Sequence, residues 1–149
     1  MVHMKKIFTI LVFMLFCGGL FAQDCSIFYR NYESKLLENQ SIFRAASDAP
    51  EISEYSRFTI NLISSSKLEA CPVKVYSAFV IEPDSSLSNI FVCARMMCMD
   101  NSCDEEQAKT NFEKNLRTAF AKSKLPPVKH QGKLVRFFVF IPAHFDCQE

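Results

Sequence analysis

The residues with the most reactive chemistry in this 149-residue chain are sulfurs. Cys93, Cys98 and Cys103 follow one another at even spacing, with His130 and His144 downstream, and thiolates beside imidazoles can ligate zinc, oxidise in pairs or supply a nucleophile. Structural zinc sites favour short paired spacings, and thiols in an exported chain oxidise, so the pattern points to disulfides and to no metal. Cys17 lies in the N-terminal apolar run, which leaves an even set of six: Cys25, Cys71, Cys93, Cys98, Cys103 and Cys147. Spacing does not choose among their connectivities. Cys25 and Cys147 stand near the two ends of the mature chain, and because domain termini often lie close together, a bridge between them is expected to close nearly the whole domain, contributing about 4–5 kcal/mol through loop entropy. Met96, Met97 and Met99 among these cysteines could hold copper, but methionines at a core edge are read as packing.

Nothing in the chain has the form of a catalytic centre. His130 sits in a basic turn and His144 near the terminus, with no glycine-rich phosphate loop, paired-histidine metal motif or nucleophile signature beside them. The expectation is a non-enzymatic protein with no cofactor and no catalytic residue.

The N-terminus reads as a secretory signal over residues 1–22: Lys5 and Lys6, an apolar run from Ile7 to Phe16, then Cys17-Gly18-Gly19-Leu20-Phe21-Ala22 before Gln23. The run is shorter than the ~20 residues of a spanning helix, so a periplasmic or secreted protein is expected; the alternative is a retained inner-membrane anchor facing the periplasm. Removing Lys5 and Lys6 from 17 basic residues leaves 15 against 16 acidic ones, a net of about −1, which does not favour capture of nucleic acid. Eight basic residues between Lys109 and Arg136 stand against Glu113 alone and are read as a solvated face.

The elements that position these residues follow from periodicity. Residues 23–67 read as a helical N-terminal segment: one helix over 24–47 with Phe28, Tyr32, Leu36 and Phe43 near the helical period, then a second capped by Asp48, with Pro50 in its first turn and Ile52, Tyr55, Phe58 and Leu62 along it. From Val73 to Ile81 the period changes to two, Pro83-Asp84-Ser85-Ser86 supplies a turn, and Leu87 to Ala94 returns as the second strand of a hairpin. Ser102-Cys103-Asp104-Glu105 matches a capping box for a helix whose stripe is Ala108, Phe112, Leu116, Ala119 and Phe120, stopped by Leu125-Pro126-Pro127. After Gly132, Leu134 to Pro142 forms a last strand, apolar on both faces. Phe138 and Phe140 therefore require cover from the N-terminal helices, a second copy or a ligand.

Together the segments Leu68–Asp84, Leu87-Ser88-Asn89-Ile90, Phe112-Glu113 with Leu116, Gly132–Arg136 and Ile141-Pro142-Ala143-His144-Phe145 resemble the C-terminal domain of the TonB family. The resemblance covers about half the chain, over residues 68–149. It implies an α+β fold, a small antiparallel sheet of about three strands with one packed helix, preceded here by one or two N-terminal helices. It also implies a protein partner: an outer-membrane receptor or other envelope protein whose extended segment adds as a strand beside the last one. The peptide-binding strand would then be Leu134, Val135, Arg136, Phe137, Phe138, Val139, Phe140 and Ile141, with Arg136, Phe138 and Phe140 lining one face beside the peptide. Two alternatives stay open: a membrane-anchored energy transducer for TonB-dependent transport, although the chain has no long proline-rich spacer, and a disulfide-stabilised protein that self-associates as a homodimer through Phe138 and Phe140.

Overall fold

The computed structural model describes residues 25–38 and 41–147. The expected signal segment lies outside them. Among the described residues three helices and five strands run in the order α1 (Cys25–Leu37), β1 (Ile42–Phe43), α2 (Ile52–Ser65), β2 (Cys71–Ile81), β3 (Leu87–Met97), α3 (Glu105–Lys122), β4 (Val128–His130) and β5 (Lys133–His144). The class is α+β, but the sheet is larger than three strands and is mixed. Its order is β1-β5-β2-β3, with β4 joined to β5 as a hairpin and β1 parallel to β5.

Local chemistry accounts for most of these boundaries. The cap of α3 is Asp104 rather than Ser102: its carboxylate accepts from the N–H groups of Glu106 and Gln107, both at 3.1 Å. Glu105 instead turns back to accept from the N–H of Cys98 at 3.4 Å. Ala108, Phe112, Leu116 and Phe120 recur every fourth residue and are the buried residues of α3. The first helix is shorter than the expected 24–47, and its inward residues are Cys25, Tyr29, Tyr32 and Leu36, while Phe28 is exposed. Nor does Asp48 cap α2. Glu51 occupies that position without a side-chain bond, and the N–H of Asp48 is given to the carbonyl of Lys129.

Both turns of the sheet use the left-handed region. Ser85, at φ 72°, takes the position where a glycine is usual, held by the Asp84 carboxylate accepting from Ser86 N–H at 3.0 Å. Gln131 and Gly132, at φ 51° and 76°, form the two-residue connection that lets β4 fold back onto β5. Pro72 enters β2 beside a register shift, where no ladder donor is required.

Helices cover both faces of the sheet. On one side α2 and α3 bury Val75, Phe79, Ile81, Val92, Phe137, Val139 and Ile141, with Phe58, Phe79 and Phe120 meeting at centroid distances of 5.2 to 6.3 Å. On the other, α1 lies over Ala78, Val80, Phe91, Phe138 and Phe140. Tyr29 stacks on Phe140 at 3.9 Å and Tyr32 on Phe91 at 4.9 Å. The cover that the two apolar faces of the last strand demanded thus comes from within the chain.

Three disulfides fasten this arrangement, and the expected Cys25–Cys147 bridge is not among them. Cys25 pairs with Cys93, tying α1 to β3; Cys71 pairs with Cys147, tying the start of β2 to the chain beyond β5; Cys98 pairs with Cys103 across the approach to α3. The antiparallel β2–β5 register explains the difference. It brings the start of β2 to the end of β5, Lys74 opposite His144, and so places Cys71 beside Cys147, while α1 crosses the opposite face toward β3. Three disulfides fit a non-cytoplasmic protein. Among the described residues no helix is long and apolar enough to cross a membrane.

Candidate functional site

A sheet that ends at an unpaired strand presents main-chain donors and acceptors to other chains, so the two edges of this sheet decide where a partner can join. At the β3 edge three outward groups are taken by side chains. Arg117 Nη1 donates to the carbonyl of Val92 at 3.0 Å, Ala94 N–H donates to Glu113 Oε1 at 2.9 Å, and the Tyr32 hydroxyl donates to the carbonyl of Asn89. Glu113 and Arg117 also pair with one another one turn apart on α3. These two charges are therefore structural pieces of an edge seal rather than members of a solvated face.

The β5 edge differs. The N–H of Phe145 donates to the carbonyl of Val73, and this fixes the alternation: with Lys74 opposite His144 and Ile81 opposite Phe137, residues 137, 139, 141 and 143 face β2 for hydrogen bonding. Phe138, Phe140, Pro142 and His144 turn their main-chain groups outward. Along this outer side β1 pairs with Arg136 and Phe137, and among the described residues no strand is registered there against Phe138 to His144. Pro142 has no N–H to offer, and it is tolerated because it stands at an edge.

A groove of about 520 Å³ runs along this edge. Its floor is Phe137–Phe140, one wall is Tyr29 and Glu33 from α1, the other is Ile52 and Tyr55 from α2, and the connection Arg44–Pro50 closes it. The groove thus reaches both faces of the sheet at its rim. Arg44 crosses the α1 side, bound to Glu33 and lying 5.5 Å from the centroid of the Phe138 ring. Glu33 also accepts from the Tyr29 hydroxyl at 2.7 Å, and desolvation together with that carboxylate pushes the Tyr29 pKa well above the ordinary tyrosine value. Burial likewise raises Tyr55 to about 12, and its hydroxyl has no hydrogen-bond partner among the described residues.

The residues expected to form the binding strand fall into three groups. Leu134 and Val135 pair with Lys129 and Val128 of β4, and Arg136 and Phe137 lie against Ile42 and Phe43 of β1. Phe138, Val139, Phe140 and Ile141 border the open stretch, although their side chains are committed to the fold. Val139 and Ile141 are 1% and 2% exposed, Phe138 packs under α1 beside Leu36, and Phe140 packs on Tyr29 and Tyr76. Arg136 does not point to a ligand either. Its Nε and Nη2 donate to the two oxygens of Glu82 at 2.9 Å each, and its Nη1 to Ser41 at 3.3 Å. The bonds from Arg136 hold the Glu82 carboxyl below the usual carboxylate range and raise the arginine in turn. The face expected to line a peptide with Arg136, Phe138 and Phe140 is consequently the inner surface under α1, and what the edge offers is main chain.

The remaining candidates are separated in the same way. The six cysteines among the described residues are all disulfide-bonded, His130 accepts at Nδ1 from Ser47 N–H at 3.4 Å, and His144 is exposed at the end of β5. No group of three or more His, Cys, Asp or Glu among the described residues is arranged to hold a metal ion. Sequence reasoning missed the Glu113–Arg117 seal, whose one signal was their four-residue spacing on a helix, and missed β1, whose two residues leave no periodic trace. Compared with family models, with curated proteins and with solved structures, the chain matches none.

Proposed function

We propose that this chain is an exported TonB-like binding module of the periplasm, which captures an extended segment of an outer-membrane receptor or similar envelope protein by adding it as a strand to β5. The observation that carries the reading is the asymmetry of the sheet. Side chains take three outward groups of the β3 edge, while the β5 edge beyond Phe138 has no strand registered on it among the described residues and is flanked by largely apolar walls. Strand addition draws affinity from main-chain bonds and register from side-chain pockets, and a segment laid along Phe138–Pro142 would meet Tyr29 and Glu33 on one face, Ile52 and Tyr55 on the other. The order of hairpin, helix and last strand, with β5 beside β2, supports the same reading. Self-association through this edge is disfavoured by Pro142. Antiparallel pairing of two copies centred on Phe140 would set Phe138 opposite Pro142, which cannot donate.

The test is a binding screen with the disulfide-intact protein against synthetic peptides taken from the extended N-terminal segments of outer-membrane receptors. Ile52→Lys and Ala45→Arg alter exposed positions of the groove wall, where the cost to the fold is expected within about 0.5 kcal/mol. Peptides retained by the unaltered protein and released by both variants support capture in the groove. Equal retention by all three proteins overturns the assignment of the surface.

A further inference from the structure

The open part of the β5 edge is short because the chain occupies the rest of it. Ile42 and Phe43 run parallel to β5, opposite Arg136 and Phe137. Since Phe137 faces β2, the main-chain groups of Phe43 meet the outward groups on either side of it, the carbonyl of Arg136 and the N–H of Phe138. This is the position, and the bonding pattern, of an extended segment docked from outside.

The anchorage of β1 is short. It has two paired residues, Phe43 is 37% exposed, and its ring meets the His130 ring at 5.3 Å on the protein surface. Ile42 packs partly buried against the cluster of Leu36 and Phe138, Ser41 accepts from Arg136, and Arg44 lies over the Phe138 ring and is paired to Glu33 with both side chains partly in solvent. Exposed ion pairs of this kind contribute little. Arg44 stands at the head of the groove, and the connection after it supplies Ala45, Ala46, Ala49 and Pro50 to the wall. An incoming strand longer than the stretch Phe138–Pro142 therefore runs into Phe43 and Arg44.

We infer that Ser41–Arg44 is a strap that occupies, in cis, the first part of the strand-docking edge, and that a long captured segment displaces it. The inference rests on the reading of β5 as a docking strand. It makes the affinity of the module depend on strap opening, since a site filled for most of the time binds more weakly by the fraction of time it is free. It also gives a ligand of known sequence: the strap itself, supplied in trans.

The experiment uses a fluorescent peptide of residues 41–46, Ser-Ile-Phe-Arg-Ala-Ala, and the full disulfide-bonded chain. Phe43→Pro removes the N–H that β1 gives to β5, while Phe43→Ala keeps it. The peptide is expected to bind Phe43→Pro at least about tenfold more tightly than the unaltered protein, with Phe43→Ala between them. Equal binding to all three, or to none, overturns the strap. Hydrogen exchange on the unaltered protein gives a second readout that needs no variant: the Phe138 amide, covered by the strap, is expected to exchange at least about tenfold faster than Val139 and Ile141, which face β2. Equal protection overturns the inference. If receptor peptides bind in the groove while the strap peptide does not, the docking reading stands and the strap alone fails. If the strap peptide binds Phe43→Pro but no receptor peptide binds any protein, the docking reading fails, and the inference with it.

Discussion

Replacing one disulfide at a time with serine pairs tests whether the bridges act by closing loops. The Cys25–Cys93 bridge spans 68 residues and the Cys98–Cys103 bridge spans 5. In the loop-entropy account the first removes about 4.4 kcal/mol of chain freedom from the unfolded state and the second about 2 kcal/mol. A domain of this size shifts its Tm by about 4 °C for each kcal/mol, so Cys25→Ser with Cys93→Ser is expected to lower Tm by about 17 °C and Cys98→Ser with Cys103→Ser by about 8 °C. The ratio near two is the sharper quantity, because both variants share one calibration. The longer loop overlaps the Cys71–Cys147 loop, which already restricts part of it, so the larger figure is an upper value. Calorimetry measures both shifts, and dye binding adds a specific sign: loss of the α1 tether is expected to expose Phe91, Phe138 and Phe140, whereas loss of the short bridge is not. Equal shifts for the two pairs, or no added dye binding without Cys25–Cys93, would refute the reasoning.

Glu82→Gln should cost about 1–2 kcal/mol at neutral pH by weakening the paired bonds from Arg136. Because the folded Glu82 carboxyl lies below its ordinary value of 4.5, its contribution is present above that pH and lost as pH falls through the folded value; denaturation curves of the two proteins should therefore converge in acid, and parallel curves throughout would count against the pair. Glu113→Ala with Arg117→Ala frees the N–H of Ala94 and the carbonyl of Val92, so concentration-dependent association is expected in sedimentation; a strictly monomeric variant would show that α3 closes the edge by bulk alone.

Local residue patterns determined much of what is seen here. The period of four along Ala108, Phe112, Leu116 and Phe120, the alternation from Val73 to Ile81, the proline stop at 126–127 and the apolar run of the last strand each specify an element through contacts within a few residues, and each element is present. The six cysteines and the two apolar faces of β5 likewise announced oxidation and double cover. What tertiary structure decided is everything that depends on which elements become neighbours. The partner of Cys25 is Cys93 because α1 crosses one face of the sheet, and Arg136 is spent on Glu82 because antiparallel pairing sets the two strand ends together. β1 exists because a two-residue stretch happens to pass an edge that has free donors and acceptors. Main-chain hydrogen-bonding groups are the same at every residue except proline, so apart from Pro142 no side-chain pattern marks which edge of the sheet will be sealed and which will stay open.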